Sequence, residues 1–94
     1  MTLDDVIFID NYPKLDLHGF DRDSARVAVN DFIKDNIKLK NEIIVIIHGI
    51  GSGIVKNSVQ DALNKNRYVL GHKLFPYNIG CTIVNLRIDN KTIK

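Results

Sequence analysis

The spacing of apolar residues changes several times along the chain, and each change marks an element. Val6 to Ile9 is a short apolar run stopped by Asn11-Tyr12-Pro13; it reads as a strand or as an arm packed across the domain. Leu15 and Leu17, followed by His18-Gly19, form a brief alternating strand that puts Asp16 and His18 together on the face opposite the leucines. Asp21 is then placed to cap a helix reaching to about Lys38, with Asp23 adding favourable charge in its first turn. Ala25, Ala28, Val29, Phe32 and Ile33 recur at three- and four-residue spacing and give that helix one apolar stripe. Ile43 to Ile47, entered from Glu42, is β-branched without alternation, the pattern of a central strand covered on both faces by helices, as in a parallel βαβ unit.

His48-Gly49-Ile50-Gly51-Ser52-Gly53 ends that strand, and Val55, Val59, Ala62 and Leu63 mark a second amphipathic helix of about a dozen residues. Tyr68 to Leu70 reads as a short strand, Pro76 centres a connection, and Thr82 to Ile88 alternates as a half-buried strand should. The order is βαβαββ, an α/β domain of layered sheet and helix. With no repeat, linker or low-complexity stretch, residues 1–94 read as one domain, with a core over 15–88 and an N-terminal arm over 1–14.

Composition narrows the classes. Hydrophobic residues make up 45% and charged residues 26% of the chain, the balance of an ordinary globule rather than of a disordered segment. The longest apolar run, Ile43 to Ile47, is far shorter than the ~20 residues a membrane helix needs, and the acidic start Met1 to Asp5 is unlike a signal peptide. The expectation is a cytoplasmic protein with no membrane partner. A lone cysteine, Cys81, allows no internal disulfide and no thiolate metal cluster, so it reads as a small core residue. The net charge of +2 does not by itself announce nucleic-acid binding, and the lysines and arginines, among them Lys34, Lys38, Lys40, Lys65, Arg67 and Lys73, read first as solvated surface.

The loop after the long strand carries the first chemical signal. Three glycines at alternate positions between a buried strand and a helix exceed what a simple turn needs. Absent side chains let backbone amides and the helix N-terminus approach an anion, most commonly phosphate, and Lys56 in the first helical turn adds charge. Equally, glycines here permit close packing of helix on strand. The spacing is neither that of a Walker loop nor of a dinucleotide fingerprint, which disfavours a mononucleotide kinase or a dehydrogenase.

His18 and His48 each end a predicted strand and precede a glycine, so both are expected at the same sheet edge, where ligands of α/β folds gather. A carboxylate beside an imidazole orients it and favours its charged form, which suits proton transfer in phosphodiester cleavage, and Asp16 is two residues from His18. A lone histidine at a strand end is more often satisfied by a backbone carbonyl; two at matching positions favour function. His72 has no such context and reads as a surface or turn residue. A zinc site from Asp16, His18 and His48 matches no common ligand spacing, so no metal is expected there.

Leu15-Asp16-Leu17-His18-Gly19, then His48-Gly49-Ile50-Gly51-Ser52-Gly53, then Thr82-Ile83-Val84-Asn85-Leu86 together resemble the Smr (small MutS-related) domain family, over about Leu15 to Leu86. The resemblance implies a mixed four-stranded sheet with two main helices, similar to the carboxyl domain of bacterial translation initiation factor three. It also implies an endonuclease that nicks DNA or cleaves RNA, including messages on stalled ribosomes. By the resemblance Asp16 and His18 carry over as catalytic candidates and His48, Gly49, Gly51 and Gly53 as the binding loop. Together with the reading of the residues, the expected site is Asp16, His18 and His48 for catalysis and Gly49, Gly51, Ser52, Gly53 and Lys56 for phosphate binding. Family members commonly carry a Gly-Gly-x-Gly turn before the last strand; here Tyr77-Asn78-Ile79-Gly80-Cys81 keeps only Gly80, and the groove is expected to differ on that side.

The expected function is a polynucleotide endonuclease, metal-independent or weakly assisted by magnesium. RNA is narrowly favoured, because its 2′-hydroxyl is a built-in nucleophile whereas DNA hydrolysis normally recruits a metal-activated water. The alternative is a non-catalytic module that binds nucleic acid or a ribosomal surface through the same loop. The sequence leaves the oligomeric state open.

Overall fold

The computed structural model describes residues 3, 8–51 and 53–88. Six elements follow in the expected order: β1 Lys14–Asp16, α1 Arg22–Lys38, β2 Ile43–Ile47, α2 Ile54–Lys65, β3 Val69–Phe75 and β4 Asn78–Leu86. They build one sheet in the order β1-β2-β4-β3, with β1 parallel to β2 and both other pairs antiparallel. This is the mixed four-stranded sheet that the resemblance implies, and it agrees with the βαβαββ order.

α1 begins where the sequence puts it. Asp21 accepts from the Ser24 amide at 2.7 Å, satisfying one of the orphan donors of the first turn. At the other end Lys40 adopts a left-handed φ of 62°, and the Asn41 amide returns to the Asn36 carbonyl at 3.0 Å. Asn36 is a polar residue on the buried stripe, three residues after Ile33, yet its amide donates to the Phe32 carbonyl at 2.8 Å and its oxygen accepts from Asn41 Nδ2 at 2.8 Å, so the burial leaves nothing unsatisfied.

The faces of the sheet divide by residue parity. Ile44 and Ile46 of β2 and Val84 and Leu86 of β4 join Leu17, Ala25, Val29, Ile33, Val59, Ala62 and Leu63 in the larger core, so both helices lie on one face. Ile43, Val45, Cys81, Ile83 and Phe75 form a second cluster on the other face, covered by Leu3, Ile9 and Tyr12. The expectation of helices on both faces of β2 is therefore corrected. An uninterrupted apolar strand signals burial on both sides but not what buries it, and here residues from the N-terminal segment take the second face. Val6 and Ile7, from the run read as a strand or an arm, lie outside the described residues; Ile9 and Tyr12 pack as an arm would. Cys81 is a buried member of this cluster, as expected, and burial together with the Asp16 charge pushes its thiol pKa up.

The β3–β4 hairpin is longer than its sequence pattern suggests. β3 continues past Leu70 to Phe75, the turn sits at Pro76-Tyr77, and β4 begins at Asn78 rather than Thr82. Gly71, His72 and Lys73 break the apolar alternation of β3, and two register shifts interrupt its pairing. Gly80 to Val84 is buried at every position, because β4 lies between β2 and β3; it is not the half-buried strand expected. His72 is likewise no turn residue. It lies within β3, half-buried, with Nε2 at 2.8 Å from Asn64 Oδ1, and burial lowers its pKa.

Candidate functional site

β1 and β2 run parallel, so their carboxyl ends lie side by side, and the two segments carrying His18 and His48 leave the sheet together. The Leu17 amide donates to the Ile47 carbonyl at 2.8 Å, the last rung between them. The chain then turns: the Phe20 amide donates to the Leu17 carbonyl at 3.0 Å, with His18 and Gly19 at the corners and Gly19 at φ 82°. β1 ends at Asp16, so His18 belongs to the turn and not to the strand.

This changes the relation of Asp16 to His18. The Asp16 carboxylate accepts from the backbone amide of His18 at 2.9 Å and so fixes the turn rather than the ring. Asp16 pairs with Ile47 and its charge reaches Cys81, which places it toward the sheet face away from the helices. The shared face expected from strand alternation is lost because the turn intervenes. The His18 imidazole is exposed and has no hydrogen-bond partner among the described residues.

His48 is the opposite case, 7% exposed with both ring nitrogens engaged. Nδ1 lies 2.9 Å from the Gly49 carbonyl, which can only accept, so Nδ1 carries the proton. Nε2 lies 2.8 Å from Thr82 Oγ1 and accepts from that hydroxyl, whose oxygen in turn accepts from Gln60 Nε2 at 3.1 Å. The chain of donors closes only with a neutral imidazole, and the pKa agrees in direction: burial lowers it first, with the Lys56 charge adding to the effect against a smaller rise from the Gly49 contact. Thr82 and Gln60 were not singled out from sequence. Thr82 is fully buried, where its hydroxyl needs a partner, but the alternation of its strand read as half-buried and gave no signal of this.

The loop that follows is pinned to β4. The amides of His48 and Gly49 both donate to the Gly80 carbonyl, at 2.9 and 3.0 Å. A Cβ on Gly80 would sit 3.3 Å from Asn78 Oδ1, a tight contact, and 3.4 Å from the Gly49 backbone, at the edge of ordinary contact. The Gly49 amide, already used by the Gly80 carbonyl, is withdrawn from the loop amides expected to approach an anion. The amides of Gly51 and Gly53 have no partner among the described residues. α2 opens from Gly53 at φ 90° with no side-chain cap, so its first turn meets the cleft uncapped.

His18, His48, Gly49, Gly51, Gly53 and Lys56 line one cleft of about 320 Å³, whose walls, among the described residues, carry a lysine and no carboxylate. The structure thus brings together the residues singled out from sequence, with two qualifications. Asp16 stands behind the His18 turn and not on the wall, and Ser52 lies outside the described residues. Among the described residues no three His, Cys, Asp or Glu side chains gather as a metal site, and no helix is long and apolar enough to cross a membrane.

The sequence profile of the Smr domain matches residues 15–87, which contain every residue of this cleft. The chain belongs to the Smr domain family. Among curated Smr relatives, the endonuclease MutS2 of Lactobacillus gasseri is 35% identical over 77 residues, 79% of this chain and 10% of that protein. The endonuclease MutS2 of Clostridioides difficile is 34% identical over 77 residues, again 79% and 10%. The chain thus spans about a tenth of the length of these curated relatives. Among solved Smr structures, the Smr domain of Thermus thermophilus MutS2 superposes with a TM-score of 0.77 at 24% identity, covering 80% of this chain and 98% of that one, and shares the fold. YdaL, a stand-alone small MutS-related protein from Escherichia coli, gives a TM-score of 0.74 at 26% identity, covering 83% and 69%.

Proposed function

We propose that this Smr domain is a polynucleotide endonuclease that cleaves RNA, with His18 as the group that moves the proton. The observation that carries the reading is the asymmetry of the cleft: one imidazole is exposed and, among the described residues, unengaged, and it shares a wall with a lysine and with loop amides that have no partner among those residues. The name carried by the MutS2 relatives supports an endonuclease.

In the proposed reaction His18 takes the proton of the ribose 2′-hydroxyl, and the 2′-oxygen attacks the adjacent phosphorus. The bond to the 5′-oxygen breaks, and that oxygen leaves with a proton from solvent. The products are a 2′,3′-cyclic phosphate and a 5′-hydroxyl. Charge gathers on the phosphorane oxygens, opposite the amides of Gly51 and Gly53 and the Lys56 ammonium. Asp16 and His48 are positioning residues: Asp16 fixes the turn that presents His18, and His48 fixes the loop that presents the amides.

The test is cleavage of labelled single-stranded RNA, duplex RNA and branched DNA on a denaturing gel, with magnesium and with chelator. The RNA is also made with a single 2′-deoxy nucleotide at the cut site. The expected result is cutting of RNA that survives the chelator and stops at the deoxy position. Cutting that persists there removes the 2′-hydroxyl mechanism, and no cutting of any substrate leaves a binding module.

A further inference from the structure

A hollow larger than the cleft, about 560 Å³ against about 320 Å³, lies between the N-terminal half of α1 and the length of α2, and its wall includes Arg22, Arg26 and Lys65. It shares Arg26, Asp61 and Lys65 with a second hollow that adds Arg67 and Tyr68. That one shares Asn30, Asn66 and Tyr68 with a third, which adds Lys34 and Lys38. The three adjoin in a row and form a grooved surface along α1 and α2. It starts beside the cleft, because its wall residue Ile54 stands between Gly53 and Val55, both of which line the cleft. Between the second and third hollows Asn66 Nδ2 donates to Asn30 Oδ1 at 3.1 Å and ties the helices together.

Charge is unevenly divided along it. Arg22, Arg26, Lys34, Lys38, Lys65 and Arg67 line the groove against only Asp23 and Asp61, a net of +4. The whole chain is +2, so everything outside the groove sums to −2. The two carboxylates pair with Arg26 at 3.8 Å and Lys65 at 3.2 Å, but these are exposed pairs worth little, and a phosphate can replace either partner. Arg67 lies over the Tyr68 ring at 5.2 Å, and that ring is partly exposed at the groove wall.

We propose that this α1–α2 groove is an extended binding track for single-stranded polynucleotide, which it leads into the cleft. A row of cations follows the phosphates, and Tyr68 offers a face on which a base stacks, the combination used by sequence-tolerant single-strand binders. The inference rests on the polynucleotide reading of the cleft and extends it to how the strand is held. Weak overall basicity ceases to argue against binding, since the positive charge is gathered on one side.

Binding is measured by fluorescence anisotropy with labelled 2′-O-methyl RNA of about twelve nucleotides, within the span such sites cover. This probe has no free 2′-hydroxyl, so binding is read apart from cleavage. Arg26→Gln/Arg67→Gln is compared with Lys14→Gln/Lys73→Gln, which removes the same charge from strands β1 and β3. The groove variant is expected to bind more weakly and to flatten the plot of log affinity against log salt by roughly 1.4, about 0.7 for each lost contact to a single strand. The sheet variant should keep the wild-type slope. Tyr68→Ala should lose roughly five- to a hundredfold in affinity, with Tyr68→Phe restoring most of it. Equal slopes for the two double variants overturn the groove while leaving the cleavage reading intact. Wild type that does not bind the strand at all also overturns it. Groove-dependent binding by a protein that cuts no substrate keeps the groove and removes the nuclease.

Discussion

Two strand ends in this protein look alike in sequence and differ in almost every physical respect. At each, a short strand leads to His-Gly at the same sheet edge. After β1 the imidazole of His18 stands in a turn, exposed and without a partner among the described residues. After β2 the imidazole of His48 is buried, neutral and held between the Gly49 carbonyl and Thr82. The difference comes from neighbours. β1 is an edge strand and β2 a central one, so whatever follows β2 is enclosed by β4 and α2. A free imidazole can exchange protons with a substrate; one whose two nitrogens are both engaged in a buried chain can only hold its surroundings in place.

The sharpest way to break the comparison is to remove each ring. His18→Ala is expected to lower kcat by about 10²–10⁴, the usual worth of a general acid or base, with no change in the urea midpoint. Full activity in that variant would end the proposed mechanism. His48→Ala should act first on stability. It deletes two hydrogen bonds, strands the Thr82 hydroxyl and opens a void, together about 2–4 kcal/mol by urea denaturation. An unchanged midpoint would mean that His48 is not the anchor described.

The same contrast explains what was legible in the sequence. Periodicity located both helices and the central strand, because the stripe of α1 and the run of β2 report burial directly. The cap at Asp21 was equally readable, being a local hydrogen bond. The extent of the β3–β4 hairpin was not, since Gly71, His72 and Lys73 interrupt the apolar pattern of β3 and two register shifts break its pairing. At the site, the motifs selected the residues that share the cleft but not their division of labour. Asp16 was read beside the His18 ring by strand alternation, and a turn that alternation cannot anticipate moved its carboxylate to the backbone. The link from His48 through Thr82 to Gln60 spans three separate elements, so no local pattern announces it.

That link can be tested with less disturbance than removing the ring. Thr82→Val keeps the side-chain shape but removes the hydroxyl, leaving His48 Nε2 buried without a donor and Gln60 without its acceptor. The expected loss is about 1–3 kcal/mol, smaller than for His48→Ala because no void opens. Gln60→Ala, at a half-buried position, should lose less again. A Thr82→Val protein as stable as wild type would show that the ring is held by Gly49 alone.

The smallest effect is the pH dependence of stability, and its sign follows from burial. His48 and His72 both have their pKa lowered by burial, so each takes up a proton less readily in the folded chain than in the unfolded one, where the value is about 6.5. Their contribution is present above the unfolded value and is lost as pH falls through it toward the folded one, because there the unfolded state binds more protons. The urea midpoint should therefore fall between pH 7.5 and 5.5, roughly the window where histidines titrate before carboxylates do. For His48 the structural reason is specific: a proton on Nε2 turns an acceptor into a donor, and the Thr82 hydroxyl must then find another partner in a buried space. His48→Gln/His72→Gln should flatten the decline without altering the high-pH baseline slope. A midpoint that rises on acidification across this window would mean that the folded state welcomes the protons, and that His48 is not held neutral.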